Sequence, residues 1–132
     1  MAALDTNVLV RFLIRDDAAQ FALARRLIRK CVSQGQKLLV PVTVSLELEW
    51  VLRSNFGFAK DSVIRTLSQL LSSTELSFES ESALELALSL YGGGSADYSD
   101  CLHVALAAQA GEQPLWTFDR VAAKVDGAKL LA

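Results

Sequence analysis

The 132 residues are 52% hydrophobic and 21% charged, which excludes a disordered chain and suits a single domain, residues 1–132, with room for a core. No apolar run reaches the roughly 18 to 20 uncharged residues that a membrane-spanning helix needs. The N-terminus also lacks a basic start and meets Asp5 almost at once, so it does not read as a secretory signal and the expected compartment is the cytoplasm. A net charge of −2 and a pI of about 5.3 argue weakly against nucleic-acid binding through bulk positive charge.

In chain order, Ala2 to Leu4 reads as a short buried strand, followed by a short helix over Asn7 to Ile14. Asp16-Asp17 closes that helix and opens another, Ala18 to Ser33, with Phe21, Leu23, Ala24, Leu27, Ile28 and Val32 at helical spacing and Gly35 as its stop. Lys37 to Val42 has the length of a buried strand. Thr43 is a suitable N-cap for a helix over Val44 to Arg53. After the turn Ser54 to Phe58, an amphipathic helix begins at Lys60 or Asp61 and runs through Leu71. Glu75 to Phe78 is a candidate strand, and Ser80 to Tyr91 has a strong helical pattern. Gly92-Gly93-Gly94-Ser95 forms a loop, and Ser95 or Asp97 caps an Ala-rich helix over Tyr98 to Ala110 that Gly111 ends. Pro114 to Phe118 is a strand, Asp119 opens a short helix, and Ala128 to Leu131 is a last edge strand. Strands alternating with helices imply parallel pairing and an α/β fold: a three-layer sandwich with a short, mostly parallel central sheet between helices.

Four acids sit where such a fold gathers function. Asp5 ends the first strand, Asp119 ends the strand over Pro114 to Phe118, Glu47 lies one turn into its helix, and Asp100 lies in the first turn of the Ala-rich helix. Ligands in open parallel sheets bind beyond the carboxyl ends of the strands. If the strand order makes those ends neighbours, the four carboxylates face one crevice. Carboxylates within about 4 to 6 Å of each other resist ionising together, and a hard divalent cation such as Mg²⁺ or Mn²⁺ relieves that repulsion through oxygen ligands. The chemistry implied is metal-assisted hydrolysis of a phosphate ester.

Each acid also has an ordinary explanation. Asp5 and Asp119 suit helix caps, Asp97 and Asp100 suit a cap and a first-turn acid, and Glu47 has a rival in Glu49. Glu47 and Glu49 stand roughly 200° apart around a helix, so only one is expected to face the site. His103, one turn after Asp100, tunes the site or simply packs. The glycine run lacks the lysine that completes a phosphate loop and reads as a hinge. Cys31 and Cys101 have no metal-ligand spacing and are expected to be free thiols. Six of the 13 basic residues, Arg11, Arg15, Arg25, Arg26, Arg29 and Lys30, fall in the first quarter, as a solvated helix face or a phosphate-contacting rim.

Taken together, the stretches Leu4 to Val10, Val44 to Leu52, Asp97 to Ala105 and Trp116 to Arg120 give the chain a full-length resemblance to PIN-domain proteins, and more narrowly to VapC-type toxins of toxin–antitoxin pairs. The resemblance implies an endoribonuclease dependent on Mg²⁺ or Mn²⁺, with tRNA or ribosomal RNA as typical substrates. It places Asp5, Glu47, Asp100 and Asp119 as the catalytic acids, with Asp97 joining Asp5, Asp100 and Asp119 around the metal. Thr6, Asn7 and Thr117 match positions that orient those acids through hydrogen bonds. It also implies a homodimer and an antitoxin whose C-terminal segment lies in apolar grooves between the early helices, where Phe12, Phe21, Phe56 and Phe58 are available. Arg11 or Arg15, close in sequence to Asp5, is assigned to phosphate.

Three other readings use the same residues. An acyl-phosphate enzyme with Asp5 as nucleophile would want a second Asp two residues on, where Asn7 stands. A catalytically silent PIN-type binding module keeps the fold without the chemistry. A nuclease acting on DNA or in RNA maturation keeps the chemistry and changes the substrate.

Overall fold

The computed structural model describes residues 2–132, and Met1 at the head of the opening apolar stretch lies outside them. Ala3 makes a single parallel bridge with Leu39, and Leu4 donates its N–H to the Leu39 carbonyl at 2.9 Å. The expected first strand is therefore one bridge rather than a ladder. Helix α1 (Thr6–Leu13) begins one residue earlier than its apolar spacing suggests, because the Asp5 carboxylate accepts the Thr6 N–H and makes Thr6 its first residue. Helix α2 (Ala18–Ser33) is capped by Asp17, which accepts from the Gln20 N–H at 3.0 Å.

Strand β1 (Leu38–Val40) leads into helix α3 (Val42–Ser54). This helix starts two residues before the position Thr43 would give as a cap. Pro41 occupies the N-cap and has no side-chain acceptor to offer. Glu79 supplies one from across the fold, accepting the Val42 N–H at 2.8 Å. Helix α4 (Lys60–Leu71), strand β2 (Leu76–Phe78) and helix α5 (Glu81–Gly92) follow. Helix α6 (Tyr98–Gln109), strand β3 (Leu115–Thr117), a single 3₁₀ turn (Ala122–Lys124) and strand β4 (Ala128–Leu130) complete the chain.

The strands pair in parallel, as the alternation predicts. β1 lies beside β2 with Leu38 opposite Leu76 and Val40 opposite Phe78, and β3 lies beside β4 with Trp116 opposite Lys129. The sheet comes in two pieces, because each strand is only three residues long and the chain at Ala3 contributes one bridge. On β1 and β2 the buried residues alternate with partly exposed ones, so one face meets the core.

That core joins Leu9 of α1, Leu38 and Val40 of β1, Leu48 and Leu52 of α3, Val63 of α4, Leu84 of α5 and Leu102 of α6. Burying each such side chain stabilises the fold by roughly 1.5–3 kcal/mol. Cys31 and Cys101 are buried free thiols, as expected. On α2 only Ala24, Ile28 and Cys31 are buried, while Leu23 and Leu27 stay 61% and 39% exposed. These leucines line a groove of about 280 Å³ with Asn7, Val8 and Arg11 of α1. None of the four phenylalanines forms its wall. Phe12 and Phe21 stack on each other at 6.1 Å, and Phe56 and Phe58 pack against the core. No helix among the described residues is long and apolar enough to cross a membrane.

Candidate active site

Asp5 is exposed at the start of α1, and its carboxylate accepts the Thr6 N–H at 2.8 Å. Thr6 thus orients the acid with its backbone. Its side-chain hydroxyl is buried and makes no hydrogen bond among the described residues, directly beside Asp5. An orphaned buried hydroxyl is costly and calls for a partner that the protein does not supply. Asn7 is exposed and turns to the α1–α2 groove.

The start of α6 presents two acids. Asp97 has the extended backbone of an N-cap, yet its carboxylate makes no capping hydrogen bond and stays exposed. Asp100, in the first turn, is half-buried, and its carboxyl is held above the ordinary carboxylate value. Burial is the largest cause, followed by the negative charges of Asp119 and then Asp97, while His103 opposes them. His103 itself is exposed, so it is not a packed core residue.

Asp119 follows β3. Its Oδ1 accepts from the N–H groups of Val121 at 2.8 Å and Ala122 at 3.0 Å, fixing the carboxylate at the head of the 3₁₀ turn. Thr117 accepts the Asp119 N–H at 3.0 Å, so it orients this acid through the main chain. One carboxylate oxygen is committed to capping. The other has no such bond among the described residues.

Helix α3 brings Glu47 and Glu49 to the rim and floor of one depression of about 500 Å³, which Asp97 and Ser99 also line. The two glutamates line it in different ways. Glu47 is exposed and makes no hydrogen bond or ion pair among the described residues. Glu49 is 3% exposed and fully engaged: it accepts from Tyr91 at 2.9 Å and from Arg53 Nε at 2.9 Å. Tyr91 is pushed up to about 12, first by burial, then by its hydrogen bond to Glu49 and the charge of that carboxylate. The i,i+4 spacing of Glu49 and Arg53 is visible in sequence. Tyr91, 42 residues from Glu49, gives no local signal.

The acids thus meet by degrees. Asp119 and Asp97 both act electrostatically on Asp100, and Glu47 shares a depression with Asp97. Among the described residues, Asp5 makes no hydrogen bond to any of these acids, and no three acidic, His or Cys side chains form a group that could hold an ion. The donor set still suits a hard cation: every candidate ligand is a carboxylate oxygen, several lack an internal cation, and a Mg²⁺ site retains waters around one or two carboxylates. The basic residues near Asp5 have partners of their own. Arg11 pairs with Asp16 at 3.0 Å, and Arg15 lies 4.5 Å over the Phe21 ring.

The sequence matches the PIN domain family over residues 2–128. It is also 24% identical over 120 residues, 91% of this chain and 88% of the relative, to a VapC ribonuclease from Aquifex aeolicus (strain VF5). With a match that spans all but the first residue and the last four, and with parallel strands crossed by helices, the chain belongs to the PIN domain family.

Proposed function

We propose that the chain is a divalent-metal-dependent endoribonuclease, acting as the toxin of a toxin–antitoxin pair from a single domain that spans residues 1–132. The observation that carries this reading is the half-buried Asp100, whose carboxyl is held above the ordinary value first by burial and then by the charges of Asp119 and Asp97, with His103 opposing them. Family membership supports it, since PIN-domain proteins generally depend on divalent metal, and so does similarity to a VapC ribonuclease over most of both chains.

In this reading Asp5, Asp97, Asp100 and Asp119 hold Mg²⁺ or Mn²⁺, while Glu47 and Asp100 orient the attacking water. When bound, the cation makes a nearby water more acidic and offsets charge developing on the phosphodiester. The protein fixes its acids in advance: backbone N–H groups hold Asp5 and Asp119, and the unpaired Glu47 is left to accept a proton. The reading includes RNA as substrate, a homodimer, and an antitoxin segment seated in the leucine-lined α1–α2 groove. It leaves Arg11 or Arg15 to reach phosphate by exchanging its present contact.

Purified protein should cleave RNA in Mg²⁺ or Mn²⁺, and Asp5→Asn should lose nearly all cleavage while remaining folded by circular dichroism. Equal cleavage by the variant, or by the native protein in excess EDTA, sinks the assignment. The lack of a ready-made three-acid grip among the described residues favours a second reading, a silent binding module. That module would bind RNA without cutting it at any metal concentration.

A further inference from the structure

Helix α3 carries a second kind of chemistry beside its acid. Glu47, Trp50 and Arg53 follow at three-residue intervals, the spacing that places side chains next to each other along one side of a helix. All three line the depression shared with Asp97 and Ser99. Trp50 is 54% exposed there.

Arg53 is not a loose surface cation. Its Nε and Nη2 approach the two oxygens of Glu49 at 2.9 and 3.5 Å, and that carboxylate is held in turn by the Tyr91 hydroxyl at 2.9 Å. The Arg53 side chain nevertheless remains 44% exposed, against 4% for Glu49. One edge of the guanidinium is therefore anchored, and the other is open to solvent. Burying a carboxylate is a weak route to stability, because an apolar side chain of similar volume often does as well. It is an effective way to aim a planar, permanently charged fork. Single-stranded nucleic acid is recognised by this combination, an aromatic face for a base and a cation for the adjoining phosphate.

We propose that the α3 stripe is an RNA subsite, in which Trp50 stacks on a nucleobase and Arg53 takes the neighbouring phosphate, with Glu49 and Tyr91 as positioning residues. The inference rests on the ribonuclease reading and adds the path of the strand, which leaves the acids at Glu47 and Asp97 and runs along α3. A base lying on the indole is unpaired, so the substrate is single-stranded or splayed open at this point.

The test uses the full chain and a short, unstructured RNA oligomer in Mg²⁺. Trp50→Ala should raise KM roughly 5- to 150-fold, the range of base–aromatic stacking, with kcat nearly preserved. Trp50→Phe should restore most of the loss. Arg53→Gln should flatten the dependence of log affinity on log salt by about 0.7, the value for one phosphate on a single strand. With Trp116→Phe, Trp50 is the one indole left of two, and its emission should be quenched as RNA binds. Native cleavage with KM, salt slope and indole emission indifferent to these changes overturns the subsite and leaves the nuclease standing. So does a Trp50→Ala protein that loses a dimer while keeping its RNA affinity, which would assign the indole to a subunit contact. If the native protein does not cleave RNA at all, the function itself fails and the subsite falls with it.

Discussion

Two groups of carboxylates lie near the start of α6, and the protein treats them in opposite ways. Glu49 is sunk in the floor, where Arg53 and Tyr91 satisfy it. Asp97, Asp100 and Asp119 stand closer to solvent and make no ion pair among the described residues. Asp100 is held above the ordinary carboxylate value first by burial and then by Asp119 and Asp97, against the opposing influence of His103. An acid satisfied by its own protein is a fixed part. An acid raised by burial and by neighbouring acids marks a site that awaits charge from outside, and that contrast can be broken by experiment.

The largest expected effect is on activity at the unsatisfied cluster. Asp100→Asn should lower RNA cleavage by at least about a hundredfold, since even partners that merely orient metal ligands are worth about 10- to 100-fold. Stability should move the other way. The fold holds Asp100 above the ordinary carboxylate value, so it favours the protonated form. Native stability is therefore gained as pH falls through that raised value and lost as pH rises through it. Without divalent cation, Asp100→Asn should be more stable than the native chain at neutral pH, with the advantage shrinking on acidification. Urea unfolding at both pH values checks it, and a variant less stable at neutral pH would show that the surroundings of Asp100 do not disfavour its carboxylate.

At the satisfied acid the signs reverse. Glu49→Ala leaves the Tyr91 hydroxyl buried without its acceptor and strips Arg53 of its anchor, a combined cost of about 2 kcal/mol. The estimate lies below that for a fully buried pair, because half-exposed Arg53 recovers hydration. Urea midpoints at unchanged slope measure it. A loss near zero would mean that Glu49 is a surface residue in practice, and the contrast with Asp100 would dissolve.

Much of this contrast was legible in the sequence, and the missing part has a common cause. The α/β alternation, the extent of α2 and the placement of Asp5, Asp100 and Asp119 at the ends of strands or starts of helices follow from local pattern, which residues within a few positions decide. The start of α3 does not, because its cap comes from Glu79, 37 positions away. The role of Glu49 does not either, since it depends on Tyr91 arriving from α5. Periodicity likewise put Leu23 and Leu27 on an apolar face of α2 without showing that the face is wider than the core it meets. The sheet is split into two ladders and a bridge because its strands are only three residues long, which the longer apolar runs of the sequence do not reveal.

The smallest effect probes the floor of the depression directly. Tyr91 is pushed up to about 12, with burial the first cause and Glu49 the second. Its contribution to stability is fully present below the ordinary phenol value and is lost as pH rises through about 12. Glu49→Gln keeps an oxygen acceptor near the hydroxyl and removes the negative charge. Tyr91 should then titrate earlier, yet still above the ordinary value, because burial remains. Tyr98, raised first by burial and hydrogen-bonded to Ser45, should move much less. Tyrosinate absorbance, followed alongside circular dichroism to confirm that the fold persists, separates the two. A native protein whose tyrosines both ionise at the ordinary phenol value while folded would show that Glu49 and Tyr91 are not joined, and with that Arg53 would lose the support that aims it.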